Sequence, residues 1–147
     1  AATLVAPHIV AAFDSDDRSR TFFHGHSFTA HPLACAVGAA NWRLIANGVG
    51  PAPVRMQQFW NERLAGLRDD RRVKDVRVRG SIAAVELDFP GGYLADIART
   101  MRRVSLEHGV MLRPLGNVLY ALPPFCTSDD SLERIAGAIG AAVRAVG

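Results

Sequence analysis

Beyond residue 50 the sequence switches repeatedly between two hydrophobic periods, and that switching restricts the chain to helices packed on strands in one small unit. Met56, Phe59, Trp60, Arg63, Leu64 and Leu67 recur three and four residues apart, which predicts a helix over 52–67 whose apolar stripe lies on a sheet. Val73, Val76 and Val78 then alternate with charged residues, and a second apolar run follows Gly80-Ser81, so 73–80 and 82–88 read as paired strands. Gly91-Gly92 makes a turn, after which Leu94, Ile97, Ala98, Met101 and Val104 restore the helical period over 93–107, ended by His108-Gly109. Residues 110–113 and 118–122 are expected to form a hairpin around Pro114-Leu115-Gly116-Asn117. A last helix follows Pro123-Pro124, with Thr127 or Ser128 as its cap, Asp129 and Asp130 in its first turn, and Leu132, Ile135, Ile139 and Val143 as its buried stripe. Two strand pairs and three helices imply an α+β sandwich, a small and mainly antiparallel sheet with its helices on one face.

The first 48 residues read differently. A short helix over 2–13 gives way to the polar loop Asp14 to Arg20, and Pro32 opens a helix to about Asn47, which Gly48 stops. Ala34, Ala36, Gly38, Ala39 and Ala40 would let another backbone approach that helix closely, so residues 1–48 are expected to pack on a surface outside the 49–147 unit. With 147 residues the chain has the size of one domain or of a piece of a larger one. Its start on Ala-Ala-Thr rather than Met points to processing or cutting.

Composition removes several classes of function. Apolar residues at 49% and charged residues at 21% exclude disorder as the main state, and no apolar run reaches membrane-spanning length. The apolar opening is broken by Pro7 and His8 and has no basic lead, which argues against a signal peptide. A net charge of +3, with basic residues crowded between Arg68 and Arg79, raises the question of nucleic acid. Those arginines alternate with valines as on the wet face of a strand, and no aromatic residue interleaves with them, so neither a nucleic-acid nor a membrane partner is expected. Cys35 and Cys126 are too far apart and too few for a disulfide framework or a zinc knuckle, and buried thiols in a reducing cytoplasm are the expectation.

No phosphate-binding Walker loop, nucleophile elbow, HExxH or dinucleotide fingerprint is present. The stretch His24-Gly25-His26-Ser27-Phe28-Thr29-Ala30-His31-Pro32 stands out, because free N–H groups and hydroxyls just ahead of a helix suit an anion or phosphate. The alternative is a solvated loop whose Ser and Thr cap the helix. His24, His26 and His31 have no acidic or thiol partner at metal-site spacing, so no metal is expected. Arg113 ends a short apolar segment just before Pro114, where a planar guanidinium can grip a carboxylate with two parallel hydrogen bonds or simply sit in a surface ion pair. Glu86, Asp88 and Asp96 read as solvated acids.

Residues 18–36, which contain Thr21-Phe22-Phe23-His24-Gly25-His26-Ser27 and Pro32-Leu33-Ala34-Cys35-Ala36, resemble the segment after the cofactor lysine in class III aminotransferases. Residues 76–87 and 109–124, the latter with Leu112-Arg113-Pro114-Leu115-Gly116-Asn117, agree in order and spacing, and the nearest branch is the one that makes diaminopelargonate for biotin. The resemblance implies a homodimer of pyridoxal 5'-phosphate enzymes in the cytoplasm. Residues 1–48 would be the end of its large cofactor-binding domain and 49–147 its C-terminal small domain. It further implies that Gly25, His26 and Ser27 reach the neighbouring subunit's cofactor phosphate. Arg113 would hold the carboxylate of 7-keto-8-aminopelargonate, and S-adenosylmethionine would donate the amino group. His26 and His31 depart from the proline and asparagine frequent at those places. The lysine that binds the cofactor would lie upstream of Ala1, and Lys74, the only lysine in the sequence, cannot replace it, so the chain alone is expected to be inactive. Two other readings stay open: a non-catalytic interaction or dimerisation module on this fold, and a class III enzyme with another substrate.

Overall fold

The computed structural model describes residues 1–146 and divides into two units, Ala1–Gly48 and Val49–Gly147. In the first, α1 spans only Pro7–Val10, shorter than the expected 2–13. Pro7 fixes the start because the residue before a proline is pushed out of the helical region, and Ala6 is indeed extended at φ −67° and ψ 145°. Two turn bonds, from Ala12 N to Ile9 O and from Phe13 N to Val10 O, carry the coil a little further before it ends. The polar loop that follows is held by Asp17, whose carboxylate accepts from Ser19 N and Oγ at 2.9 and 2.8 Å and is thereby lowered in pKa. Helix α2 spans Pro32–Ala46 with Pro at its first turn, as expected. The unit contains no buried side chain. Leu33, Val37, Trp42 and Leu44 of α2 are each about 70% exposed, and Cys35 is exposed as well. A thiol on a helix with no core beneath it is not buried, which corrects the expectation for Cys35.

The second unit is built on a three-stranded antiparallel sheet of β1 (Val73–Arg79), β2 (Ile82–Leu87) and β3 (Val118–Ala121), in that order. Val76 faces Val85 and Val85 faces Leu119, so one face carries Val76, Ala83, Val85, Leu87, Leu119 and Ala121, all buried. The other face carries Arg77, Ala84 and Tyr120 in one row and Glu86 beside Val118 in the next. This alternation is the period of two that the valines announced.

Three helices pack with the apolar face. α3 (Ala52–Arg63) inserts Met56 and Trp60 and continues through a 3-10 turn at Ala65–Leu67, and Leu64 is buried between the two. α4 (Ala98–Glu107) contributes Met101 and Val104, and α5 (Asp129–Arg144) contributes Leu132, Ile139 and Val143. The Trp60 indole N–H donates to Ser81 O at 3.0 Å, which ties α3 to the β1–β2 turn. Salt bridges Arg55–Asp129 and Arg63–Glu133 link α3 to α5. Ser128 occupies the N-cap of α5 but donates to the Ser131 hydroxyl at 3.0 Å instead of capping with its side chain.

Two expected elements are shorter than the periodicity implied. Helix α4 starts at Ala98, because Gly91 and Gly92 adopt φ of 97° and 51° and Ala95 is extended, leaving 92–94 as a 3-10 turn with Leu94 85% exposed. Residues 110–113 are not a strand: only the single bridge between Leu115 and Val118 continues the ladder beyond β3. Pro114 has no N–H to offer a neighbouring strand, so the segment is held by burial of Leu112 rather than by pairing. Cys126, in the turn after Pro123-Pro124, is exposed, and this too corrects the expectation of a buried thiol.

Candidate functional site

The residues singled out in the sequence fall in both units: Gly25, His26 and Ser27 in Ala1–Gly48, and Arg113 in Val49–Gly147. The loop before α2 is organised by its histidines. His26 N donates to Thr29 Oγ1 at 3.1 Å, Thr29 N returns a bond to His26 O at 2.9 Å, and Phe28 N donates to His26 Nδ1 at 3.2 Å. His31 is the N-cap of α2 and accepts from Ala34 N through Nδ1 at 3.3 Å. Thr29 and Ser27 therefore do not cap the helix, and each imidazole that accepts at Nδ1 carries its proton on Nε2. Ala30 between them sits at φ 54°, the one non-glycine residue in the left-handed region among the described residues. Among the described residues the Ser27 N–H and hydroxyl have no partner, and a side chain added at Gly25 would meet no atom within 4 Å. Nothing inside the chain requires glycine at that place.

Arg113 lies on the irregular segment between α4 and β3. Leu112 before it is buried, whereas Met111 and Arg113 are exposed, the alternation of an extended chain with 111 and 113 outward. Among the described residues the guanidinium makes no hydrogen bond or ion pair. The segment is anchored just beyond it by Leu115, whose N–H and carbonyl pair with Val118 at 2.8 and 3.0 Å, and by the Gly116-Asn117 turn that this pairing closes.

Several other charged groups are paired inside the fold. Lys74 pairs with Glu86 at 3.0 Å, and Arg77 bonds both Asp75 at 2.8 Å and Glu86 at 2.7 Å. The hydrogen bond from Arg77, then that from Lys74, holds the Glu86 carboxyl below its usual range, so Glu86 is ion-paired rather than freely solvated as expected. Arg72 grips Asp70 through two nitrogens at 2.9 and 2.6 Å and depresses its carboxyl strongly. Lys74 thus lies in an ionic cluster on an edge strand, with its side chain 63% exposed. Among the described residues no group of three or more His, Cys, Asp or Glu side chains is gathered to hold a metal, and no helix is long and apolar enough to cross a membrane. Asn117 is the residue that sequence reasoning missed. It reads as a turn former, yet its side chain is buried and donates to Leu87 O at 2.8 Å.

Comparison with known proteins bears on what these residues belong to. The family model for class-III aminotransferases matches residues 1–143. An adenosylmethionine-8-amino-7-oxononanoate aminotransferase of Synechococcus elongatus is 38% identical over 93% of this chain and 32% of its own length, and the same-named protein of Geobacter sulfurreducens is 37% identical over 99% of this chain and 34% of its own. Among solved structures, the omega transaminase of Pseudomonas jessenii in complex with PMP superposes with a TM-score of 0.70 at 27% identity, over 84% of this chain and 29% of that one. The adenosylmethionine-8-amino-7-oxononanoate aminotransferase of Methanocaldococcus jannaschii gives 0.69 at 25% identity, over 86% and 30%. The chain spans about one third of the length of the curated relatives it matches.

Proposed function

The chain belongs to the class III aminotransferases, and from that premise we propose that it is the C-terminal part of a pyridoxal-phosphate enzyme of biotin synthesis that moves an amino group from S-adenosylmethionine to 7-keto-8-aminopelargonate. In this reading 1–48 is the end of the large domain, 49–147 is the small domain, the enzyme is a homodimer, and it works in the cytoplasm. The observation that carries it is the similarity, over 93–99% of this chain, to the two proteins named for that reaction. Omega transaminases are the competing assignment, since one from Caulobacter vibrioides is 32% identical over 85% of the chain.

The residues present fit one end of the cofactor only. Ser27 N–H and Oγ, unpartnered beside an unobstructed Gly25, suit a phosphate, with His26 Nε2–H as a third donor. Bound pyridoxal phosphate would supply the electron sink for amino transfer. Lys74, held by Glu86 on an exposed strand, does not suit its covalent attachment, so the lysine must come from polypeptide outside these 147 residues and the chain alone should be inactive. Arg113 would fix the keto acid by gripping its carboxylate through two parallel N–H donors, and its lack of an internal acid partner keeps both donors available.

The test is to place this chain behind the lysine-bearing N-terminal portion of the Synechococcus elongatus relative and assay amino transfer. Diaminopelargonate formed from S-adenosylmethionine and 7-keto-8-aminopelargonate is the expected product. Turnover of simple amines with a small keto acid, and none with this pair, would replace the biotin assignment by the omega-transaminase one.

A further inference from the structure

We propose that Asn117 is a positioning residue for Arg113, acting through the Gly116 turn; the inference rests on reading Arg113 as the carboxylate-binding group. The backbone that carries Arg113 has no strand partner of its own, since regular pairing begins only at Val118 and the ladder is extended by one bridge at Leu115. What fixes it is therefore an anchor at each end. On one side Leu112 is buried in the core. On the other, Leu115 pairs with Val118 across the turn, and Asn117 ties the turn to its neighbours: its N–H donates to Gly92 O at 3.0 Å, its carbonyl accepts from Leu87 N at 2.9 Å, and its side-chain amide donates to Leu87 O at 2.8 Å. One residue so closes both the β2 edge and the 92–94 turn.

Gly116 makes that closure possible. It sits at φ 59°, and a side chain there would collide with the carbonyls of Gly92 and Tyr93, so the turn seats directly on this backbone. Only two residues, Pro114 and Leu115, separate Arg113 from the turn, and proline has a fixed φ, so a displacement of the turn is passed to Arg113 with little slack. Asn117 is 7% exposed and among the described residues its amide has no other partner, so its hydrogen bond serves the seating of this turn. Loss of the amide donor removes the side-chain tie between the turn and Leu87 O, which keeps its bond from Phe89 N at 2.9 Å while the turn is freer to shift, and a misplacement of about 1 Å at a substrate-orienting group costs up to about a hundredfold.

Two measurements test this. In the 147-residue chain, the amide order parameter of Arg113 should be near about 0.85 in the native sequence and clearly lower in Asn117→Ala and in the isosteric Asn117→Asp, which lacks the donor. Equal order in native and variant chains would overturn the proposal. In the reconstituted enzyme, the readout is the ratio of kcat/KM for a carboxylate-bearing substrate to that for a carboxylate-free amine, a ratio that general loss of folded protein does not move. Both Asn117 variants should lower it at least roughly tenfold, mainly through KM. An unchanged ratio in the Asn117 variants beside a collapsed ratio in Arg113→Ala would overturn the positioning role and leave the Arg113 reading intact. No effect of Arg113→Ala would remove that reading and this inference with it.

Discussion

Replacing Gly116 by alanine tests how tightly the segment between α4 and β3 is seated. The residue stands at φ 59°, and its added Cβ would strike the carbonyls of Gly92 and Tyr93. Holding a non-glycine residue in the left-handed region costs on the order of 1 kcal/mol or more. Relief of the collision requires the turn to lift from Gly92, which breaks the bond from Asn117 N to Gly92 O and adds about 1 kcal/mol. Gly116→Ala should therefore destabilise by about 2–4 kcal/mol. For a unit of this size 1 kcal/mol moves Tm by about 4–8 °C, so melting followed by circular dichroism should fall by roughly 10 °C or more. Two controls have other expected signs. Gly25→Ala meets nothing within 4 Å and should stay within about 0.5 kcal/mol of the native chain. Gly137→Ala, in the exposed interior of α5 with open space around it, should stabilise by about 0.5–1 kcal/mol. Native melting in Gly116→Ala would refute the close seating of the turn and with it the fixed placement of Arg113.

Trp60→Phe should cost about 1–3 kcal/mol in denaturant titrations, because it leaves the Ser81 carbonyl unpaired against α3; a cost near zero would mean that water or relaxation replaces the indole. Asp70 and Glu86 both have depressed pKa values in the fold, so the unfolded chain binds more protons near pH 4. Their contribution should be complete above the unfolded carboxylate range of about 4 and be lost as pH falls toward the folded values. Melting temperatures across acid pH should show this fall, and it should be shallower in Arg72→Ala and Arg77→Ala; identical slopes would contradict the pairing. The exposed apolar residues of α2, Trp42 and Leu44 among them, should drive concentration-dependent association of the 147-residue chain, and Trp42→Glu with Leu44→Glu should weaken it. A sharp monomer by light scattering at high concentration would count against that.

The sheet and the three helices of the second unit were legible because each buries one face, and burial writes a period into the sequence: Val76 and Val85 alternate, Met56 and Trp60 step by a helical turn. The starts of α1 and α4 were less legible, since the apolar residues upstream, Leu4 and Leu94, match the period but are exposed, and only the backbone demands of Pro7, Gly91 and Gly92 stop the coil. The missing strand at 110–113 has the same origin: Leu112 is buried as a strand residue would be, but pairing needs a neighbour, which no local pattern encodes. At the candidate site, the loop of Gly25, His26 and Ser27 and the segment-end Arg113 stood out in the residues themselves, and the resemblance supplied their roles. The capping role of His31 and the buried amide of Asn117 depend on hydrogen bonds that histidine and asparagine make in one geometry out of many. Exposed Cys35 and Cys126 show that thiol burial does not follow from an apolar neighbourhood in sequence.

The most direct test of the central claim, that this chain holds the phosphate and carboxylate contacts of an aminotransferase but not its lysine, is an absorbance spectrum of the purified chain with pyridoxal phosphate before and after borohydride, followed by intact mass. The account predicts no band that borohydride removes and no stoichiometric adduct. A reducible band with the cofactor fixed at Lys74 would contradict it, and would mean that the Lys74–Glu86 pair opens to do chemistry.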